Sequence, residues 1–337
     1  MQLSDGRWMS RAPIPTPRHD MRCFSVDGSV LLVSGADQQT YATTPTYDPD
    51  ADVWTHDRSP IPTARGWYGA ARRDGIYVVG GKRVRKAYRE DGTPPQYDVY
   101  ARLEHYDPGT DSWQRLAPLP GPRAGLSAAF RAGKLYAVGG IVPPTEEAFA
   151  DLHDDPTVTG YYPPRQTWTE TDRIDVYDPS SDAWEPGPSL PEPRMAPAVE
   201  CVDGDLYVFG GYCDGTFVDD VYRLDAGSGE WEELTLMGTR RRDFPTIVAD
   251  RTVYAFGGVR DGTRTREDGE EIERYTAACE AYDVDADEWT PLPDLPQEKA
   301  WAGAALVDGR LFVLGGAYRS AHEFVFTDEV HELVRST

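Results

Sequence analysis

The sequence contains little cysteine, histidine or lysine, and each shortage excludes a class of protein. The four cysteines have no paired spacing, so the sequence predicts neither a disulfide framework nor a zinc site. The six histidines form no His-x-His or Glu-x-x-His cluster, so a local metal motif is missing. We therefore expect no metal and no other cofactor.

Positive charge and long apolar runs are also scarce. The chain carries 34 basic and 57 acidic residues, a formal net charge of −23, which argues against non-specific binding to nucleic acid or to anionic membranes. No apolar run approaches the roughly 20 residues of a membrane span, and the first residues contain no apolar signal-peptide segment. These absences predict a cytoplasmic monomer that engages a protein partner or a small polar ligand.

A short pattern that occurs six times is the main feature that the sequence does contain. In each copy two small residues end an apolar run: Ser34-Gly35, Gly80-Gly81, Gly139-Gly140, Gly210-Gly211, Gly257-Gly258 and Gly315-Gly316. A Tyr-rich segment follows five of these pairs, and a Trp comes shortly after it: Trp54, Trp113, Trp184, Trp231 and Trp289. A self-similar unit of this length predicts a repeat architecture.

The copy that starts at Ala198 shows one unit without insertions. Asp203-Gly204 predicts a tight turn between its first two strands, and segments around Tyr222 and Trp231 supply the other two. One four-stranded sheet cannot cover both of its faces, whereas six sheets packed radially can. The sequence thus predicts an all-β, six-bladed β-propeller, a single domain over residues 1–337, whose sixth blade is completed by the N-terminal strand around Trp8.

The apolar run, the small pair and the spaced Tyr and Trp resemble the kelch motif over almost the whole chain. The resemblance implies a kelch β-propeller with the fold found in the propeller of galactose oxidase. In kelch propellers that bind peptides, contacts come from residues after the small pair and after the arginine that enters each blade. By that resemblance the candidate contacts are His19, Arg83, Tyr212, Arg260 and Tyr318.

Strand parity predicts which face of the propeller carries function. If strands a to d of each blade run from centre to rim, the b–c and d–a connections share one face and the tight hairpins share the other. The b–c connections vary greatly, because Gly35 to Trp54 is 19 residues whereas Gly140 to Trp184 is 44. Long loops on a rigid scaffold usually carry binding sites, so we expect blades two, three and five to build a wall over the channel mouth.

The d–a segments carry a cation at one repeated place, for which two interpretations stay open. The members are Arg18, Arg65, Arg123, Arg194, Arg242 and Lys299. Each could hold backbone carbonyls or an acidic turn of the next blade. Alternatively, together they could focus a positive potential that attracts an anion.

Two residues after each cation the blades differ, and these positions are predicted to point towards the channel. They are Asp20, Trp67, Gly125, Ala196, Phe244 and Trp301. Trp67, Trp168 and Trp301 are also the three Trp residues that the repeat does not account for. They either stack on a ligand at the channel mouth or pack beneath the long loops.

An enzyme at the channel mouth is the alternative to a binding module, so whether the protein is catalytic stays open. In layout the chain is similar to bacterial N-acetylneuraminate epimerase, which implies an isomerase or mutarotase acting on an anionic sugar. The catalytic Glu and Arg of that family have no counterpart between Tyr212 and Asp219, where only Asp214 could supply a carboxylate. General acid–base candidates are His19, Asp20, Asp37, Asp214 and Asp243.

The function we expect first is that of a kelch-repeat interaction protein. It would recognise a protein partner or a polar, anionic ligand on the face that bears the b–c and d–a loops. The residues expected to bind are Arg18, Arg65, Trp67, Arg83, Arg123, Arg194, Tyr212, Arg242, Phe244, Arg260, Trp301 and Tyr318.

Overall fold

The computed structural model describes residues 5–86, 96–143, 158–161, 169–265, 271–320 and 323–335, and every regular element in these ranges is a β-strand. Within the same ranges, no helix has the length and apolar character required to cross a bilayer. The turn-rich, strand-forming sequence therefore folds as the all-β protein that its repeat predicts.

Six antiparallel four-stranded sheets form the blades, and each follows the predicted a-to-d order. Blade one contains β2 (Arg22–Val26), β3 (Ser29–Val33), β4 (Thr46–Asp48) and β5 (Val53–Thr55). Blade two contains β6 (Gly69–Arg72), β7 (Ile76–Val79), β10 (Leu103–Asp107) and β11 (Ser112–Leu116). Blade three contains β12 (Ser127–Arg131), β13 (Lys134–Val138), β17 (Ile174–Asp178) and β18 (Ala183–Pro186).

The second half of the chain repeats this plan. Blade four contains β19 (Ala198–Val202), β20 (Asp205–Cys213), β21 (Thr216–Leu224) and β22 (Trp231–Glu233). Blade five contains β24 (Thr246–Ala249), β25 (Thr252–Phe256), β28 (Cys279–Asp283) and β29 (Glu288–Leu292). Blade six contains β30 (Gly303–Val307), β31 (Arg310–Leu314), β34 (Val330–Val334) and β1 (Arg7–Arg11).

The N-terminal strand closes blade six, as predicted. Strand β1 pairs antiparallel with β34, with Trp8 opposite Leu333, and so supplies the outermost strand. The apolar core consists of clusters between neighbouring blades, and one of them packs Val30 and Leu32 of blade one against Phe312 and Leu314 of blade six. Because β1 pairs with β34 and this cluster joins the first and last blades, both ends of the sequence support one seam.

The repeated Trp residues fasten each blade to the one before it. Trp54, for example, donates its indole N–H to the carbonyl of Ala12 at 2.9 Å, and Trp184 donates to Ala117 at 2.7 Å. The other four make the same bond: Trp8 to Pro293, Trp113 to Ser59, Trp231 to Ser189 and Trp289 to Thr235. A buried indole needs a partner for its N–H, and here the partner is always the chain leaving the preceding blade.

The small pairs are required by close approach as well as by backbone conformation. Gly80 has φ 65°, and a Cβ there would lie 2.5 Å from the carbonyl oxygen of Arg123 in the next blade. Ser34 tolerates the same conformation, because its hydroxyl accepts a hydrogen bond from the backbone N–H of Arg65 at 3.0 Å. The one departure from glycine thus replaces close packing with a polar contact to the neighbouring blade.

The longer b–c connections fold into additional strands on one face. Strands β8 (Lys82–Lys86) and β9 (Gln96–Tyr100) of blade two form one sheet with β15 (Val158–Tyr161) of blade three. The remaining short strands are β14 (Ile141–Val142), β16 (Thr169–Glu170), β23 (Arg241–Arg242), β26 (Val259–Thr265), β27 (Glu271–Tyr275), β32 (Ala317–Arg319) and β33 (Phe324–Phe326).

Backbone pairing joins these loops to the d–a segments. His19 pairs with Ala36 and Met195 with Tyr212, and equivalent bridges occur in the other blades. The prediction that b–c and d–a connections share one face is therefore confirmed.

Candidate functional site

The repeated cations lie inside the blades rather than on the loop face. Arg65 is fully buried, and its guanidinium donates to the carbonyls of Gly80 at 2.9 Å and Arg102 at 3.2 Å and to Glu104 at 2.6 Å. Arg123 repeats the arrangement, with Arg173 O at 2.9 Å and Asp175 at 2.7 Å. These partners belong to the cation's own blade, not to the next one as the first interpretation had it.

Blade five corrects the predicted position of one cation. Arg241, not Arg242, makes the repeated contacts, because it is buried and donates to the carbonyls of Gly257 at 3.1 Å and Ala278 at 2.9 Å. We call the resulting set the cation ring: Arg18, Arg65, Arg123, Arg194, Arg241 and Lys299. All six members are at most 2% exposed.

Burial and internal pairing give the cation ring a structural role. Burial lowers the pKa of Arg123 to about 10, against the opposing effect of Asp175, so the guanidinium stays charged at neutral pH. Arg194 pairs with Asp220 at 2.6 Å and Lys299 with Glu329 at 2.8 Å. Carbonyl and carboxylate groups of the protein itself surround these cations. We therefore leave Arg18, Arg65, Arg123 and Arg194 out of the proposed site.

Two residues after each cation the chain makes a sharp turn of left-handed conformation. We call these residues the elbow ring: Asp20, Trp67, Gly125, Ala196, Asp243 and Trp301, with φ between 51° and 59°. Asp243 holds the place in blade five that the sequence analysis gave to Phe244. Phe244 is instead 7% exposed and packs under the guanidinium of Arg241.

Backbone hydrogen bonds connect the elbows around the channel. Gly125 N–H donates to Trp67 O at 2.8 Å, and Ala196 N–H donates to Gly125 O at 2.7 Å. The series continues with three more bonds from a backbone N–H to a carbonyl oxygen: Asp243 to Ala196 at 3.2 Å, Trp301 to Asp243 at 2.9 Å and Asp20 to Trp301 at 2.9 Å. A non-glycine residue in this conformation costs about 1–3 kcal/mol, which these bonds between blades offset.

A side-chain bond crosses the mouth of the channel. The Trp67 indole N–H donates to Asp243 Oδ1 at 2.8 Å, and blades two and five lie opposite each other in a ring of six. Asp243 also pairs with Arg242, which in turn holds Glu273 at 2.6 Å. Burial raises the pKa of Asp243, with Arg242 opposing the rise and Asp20 adding to it. The mouth is thus closed by a partly buried polar bridge.

His19 and Asp20 come together beside this bridge, as their adjacency suggests. His19 Nδ1 lies 3.2 Å from Asp20 Oδ2, a close contact whose alignment does not make a hydrogen bond. The imidazole stacks on Phe326 with centroids 5.1 Å apart and meets Trp301 edge-on at 5.8 Å. Asp20 and Asp243 interact electrostatically, so the elbow ring brings three of the predicted acid–base candidates into one cluster.

Aromatic side chains surround the closed mouth. We call them the aromatic collar: Trp67, Tyr97, Tyr212, Phe217, Tyr275, Trp301, Phe324 and Phe326. Neighbouring members touch, since the ring centroids of Tyr212 and Phe217 are 5.1 Å apart and those of Trp301 and Phe324 are 5.8 Å apart. All except Tyr275 are partly exposed.

Cations lie over several of these rings. Lys82 Nζ is 3.8 Å from the centroid of the Trp67 ring and 4.6 Å from that of Tyr97. The Arg242 guanidinium is 5.5 Å from the centroid of Phe217. Cation–π contacts of this kind fix the side chains in place and leave polar groups at the edge of an apolar surface.

Other candidates from the sequence lie outside the collar. Arg83 pairs with Asp98 at 2.7 Å. Tyr318 and Arg260 each lie next to a residue of the same strand that faces the collar. Successive strand residues point to opposite faces, so these three side chains face away. Asp214 is exposed at the turn between β20 and β21, Asp37 accepts a hydrogen bond from Tyr41 at 2.6 Å, and Trp168 lies outside the described residues.

The sequence analysis missed most of the collar. Tyr97, Phe217, Tyr275, Phe324 and Phe326 all lie on the returning strand of a b–c hairpin. The alternation of side chains along each hairpin, counted from the small pair, is the signal that could have identified them.

Comparison with known proteins finds kelch-repeat sequences. The family model described as the KLHDC2/KLHL20/DRC7 Kelch-repeats domain matches residues 158–334. Kelch-like protein 25 of Xenopus tropicalis is 22% identical over 296 residues, which cover 85% of this chain and 42% of the relative. Kelch-like protein terF of Aspergillus terreus is 29% identical over 204 residues, which cover 58% of this chain and 39% of the relative.

A solved structure extends the likeness to the fold. The structure of YjhT superposes with a TM-score of 0.71 at 17% identity, covering 95% of each chain. The chain spans about two fifths of the length of the kelch-like proteins from Xenopus tropicalis and Mus musculus that it matches.

Proposed function

The chain belongs to the kelch-repeat family, and from that premise we propose that it is a binding module that docks a protein partner on the face bearing its long loops. Kelch-repeat proteins generally mediate protein interactions. The aromatic collar is the observation that carries the proposal for this chain. Half-buried aromatic residues next to arginine are the groups that dominate binding energy at protein interfaces.

The closed mouth favours a protein segment over a small molecule enclosed in a deep pocket. The Trp67–Asp243 bond and the elbow ring block the channel directly below the collar. A partner would therefore lie across the collar and place an apolar or aromatic side chain among Tyr212, Phe217 and Phe324. Side chains that are already packed lose little conformational freedom when a partner binds, which favours affinity.

An acidic group in the partner is the finer part of the proposal. The cation ring cannot contact it, so support comes from Lys82 over Trp67 and Tyr97 and from Arg242 over Phe217. Arg242 already pairs with Asp243 and Glu273, so a carboxylate of the partner would approach Lys82 and Arg242 together at the edge of the rings. A partner segment with one acidic residue beside an aromatic anchor fits this surface.

The test begins with partner capture and ends with an affinity. Proteins captured from the source lysate by the wild type are compared with those captured by a Tyr212→Ala/Phe324→Ala double variant. The matched control is Tyr318→Ala, on the outward side of the same hairpin as Phe324. For a partner purified afterwards, we expect the double variant to weaken binding at least about 30-fold and the control to leave it unchanged. Equal affinities for all three proteins would contradict the proposal.

A small-molecule isomerase is the second candidate, and the cluster at the mouth favours it. Asp243 is buried with a raised pKa, Asp20 lies near enough to influence it, and His19 contacts Asp20. Such a cluster could exchange a proton with an anionic sugar, with Arg242 stabilising negative charge. Proton exchange into sialic and uronic acids in heavy water, followed by NMR, tests this. Exchange that Asp243→Asn abolishes would support the enzyme, and no exchange by the wild type would exclude isomerisation of these substrates through a carbon-bound proton.

A further inference from the structure

The central channel holds a carboxyl group that the repeat does not require. The first strands of the blades line a cavity of about 450 Å³ below the elbow ring. Glu200, on β19, belongs to that lining. Its cross-strand partner on β20 is Tyr207. The residues at the same place in the other blades are Phe24, Ala71, Ala129, Ile247 and Ala305. A carboxyl therefore replaces an apolar side chain in one blade of six.

Within the described residues, the only hydrogen-bond partner of the Glu200 side chain is a hydroxyl. Thr246 Oγ1 donates to Glu200 Oε1 at 2.6 Å, and no cation pairs with either oxygen. Burial raises the pKa of Glu200 to about 7, because the channel wall displaces water and supplies only that one hydrogen bond. Glu200 is half-buried and its carboxyl group is held by one hydroxyl, so it keeps hydrogen-bonding capacity for a group that binds in the channel.

A free cation lines the same cavity. Arg72 ends β6, one residue beyond the place of Glu200 in the repeat, and it also lines the cavity. It is exposed and forms no ion pair or side-chain hydrogen bond with the residues that the structure describes. Blades two and four thus contribute groups of opposite charge that form no ion pair with the part of the chain that the structure describes.

The elbow ring decides how a ligand could reach these groups. Because backbone bonds and the Trp67–Asp243 bridge lie across the loop face, a ligand would enter the channel from the hairpin face. Its wall also carries small polar side chains and apolar ones, Ser25, Ser127, Phe24 and Phe130 among them. The cavity lies within the size range of small-molecule sites, roughly 300–1,000 Å³, and is separate from the aromatic collar.

We propose that the channel binds a small zwitterionic molecule of amino-acid to dipeptide size, with its ammonium on Glu200 and Thr246 and its carboxylate on Arg72. Each charge of such a ligand meets the opposite charge on the wall, and its chain spans the apolar stretch between them. Charge-assisted hydrogen bonds are the strong ones in a site partly shielded from water. A singly charged ligand would leave either Glu200 or Arg72 without a partner.

The test uses ω-amino acids of increasing length, from glycine to 6-aminohexanoate, together with glycylglycine. Binding to the full chain is measured by calorimetric titration, with butylamine and butyrate as probes that each lack one charge. We expect one range of lengths to bind and both singly charged probes to bind at least about ten-fold more weakly. Tighter binding of butylamine than of every zwitterion would overturn the assignment, as would failure of every zwitterion to bind.

Two variants locate the site. Glu200→Gln keeps the shape of its side chain and removes the charge, and Arg72→Gln replaces the guanidinium with a neutral polar group. Each should weaken the best zwitterion at least about ten-fold. Arg115→Gln, on the outermost strand of blade two and outside the cavity lining, is the matched control and should leave zwitterion binding unchanged. Unaltered binding to both channel variants would overturn the proposal. Because the wild-type protein must also bind less tightly as pH falls below about 7 and Glu200 takes up its proton, a flat pH profile between 5 and 8 would contradict it too.

Discussion

The cation ring and the elbow ring lie two residues apart along the chain, yet they differ in every respect that matters for function. The cation ring repeats almost one residue type and is enclosed by carbonyls and carboxylates. The elbow ring repeats a backbone conformation but varies its side chains from Gly125 to Trp301. The difference teaches that repetition marks the scaffold of this propeller, whereas departures from the repeat mark the groups left for binding.

The largest expected effect comes from breaking the cation ring. Arg65→Met leaves Glu104 buried beside Thr63 without its strongest partner, and should lower the free energy of unfolding by about 3–5 kcal/mol. Chemical denaturation measures this change. Arg115 approaches the same carboxyl group at 3.6 Å from the surface, so Arg115→Met is a matched control that should cost at most about 1 kcal/mol. Similar losses in both variants would refute the structural assignment of the ring.

Glu200, which departs from the repeat in the channel, should make the stability of the fold depend on pH. The Glu200 carboxyl titrates near 4.5 without perturbation and near 7 in the fold, so between these values the folded state binds more protons than the unfolded state. The free energy of unfolding should therefore fall by roughly 3 kcal/mol as pH rises from about 4.5 to about 8, and stay level above. Glu200→Gln should remove this fall. Parallel stability–pH curves for the two proteins would show that Glu200 is not perturbed.

A change in the elbow ring should affect binding more than folding. Trp67→Ala copies the residue that blade four has at this place, since Ala196 adopts φ 51°. The variant should fold, should lose the bridge to Asp243, and should bind the partner at least about ten-fold more weakly. Circular dichroism and titration with the purified partner give the two readouts. Wild-type affinity in a folded Trp67→Ala variant would remove Trp67 from the binding surface.

The smallest effect is expected where a side chain faces away from the collar. Tyr318→Ala should change the free energy of unfolding by less than about 0.5 kcal/mol and leave partner affinity unchanged. Its neighbour on the paired strand, Phe324, is the contrasting substitution. A loss of affinity on changing Tyr318 would mean that the partner binds both sides of the β32–β33 hairpin.

The fold could be predicted from the sequence because each repeat contains the signals for its own four strands. Small pairs, tight turns and spaced Trp residues located the blades, and Trp8 identified the strand that closes the seam. The placement of the blade-five cation was wrong for a physical reason. The cation lies 17 residues before the second small residue in blade one but 16 in blade two, so Arg241 and Arg242 both fit and only strand pairing separates them.

The candidate site was only partly predictable. Trp67, Trp301 and Tyr212 could be found because they stand out against the repeat or follow a small pair. Tyr97, Phe217 and Phe324 depend on hairpins that fold back across the face, and those hairpins are set by contacts between blades that no local pattern encodes. The Trp67–Asp243 bond joins positions 176 residues apart in the chain, so it too required the structure.

The central claim is that residues that depart from the repeat bind the partner, while repeated residues only hold the fold. The most direct measurement is the affinity of the purified partner for Tyr212→Ala/Phe324→Ala and for Arg115→Met, a surface change beside the cation ring. We predict a loss of at least about 30-fold for the first and wild-type affinity for the second. Wild-type affinity in the folded double variant would contradict the account.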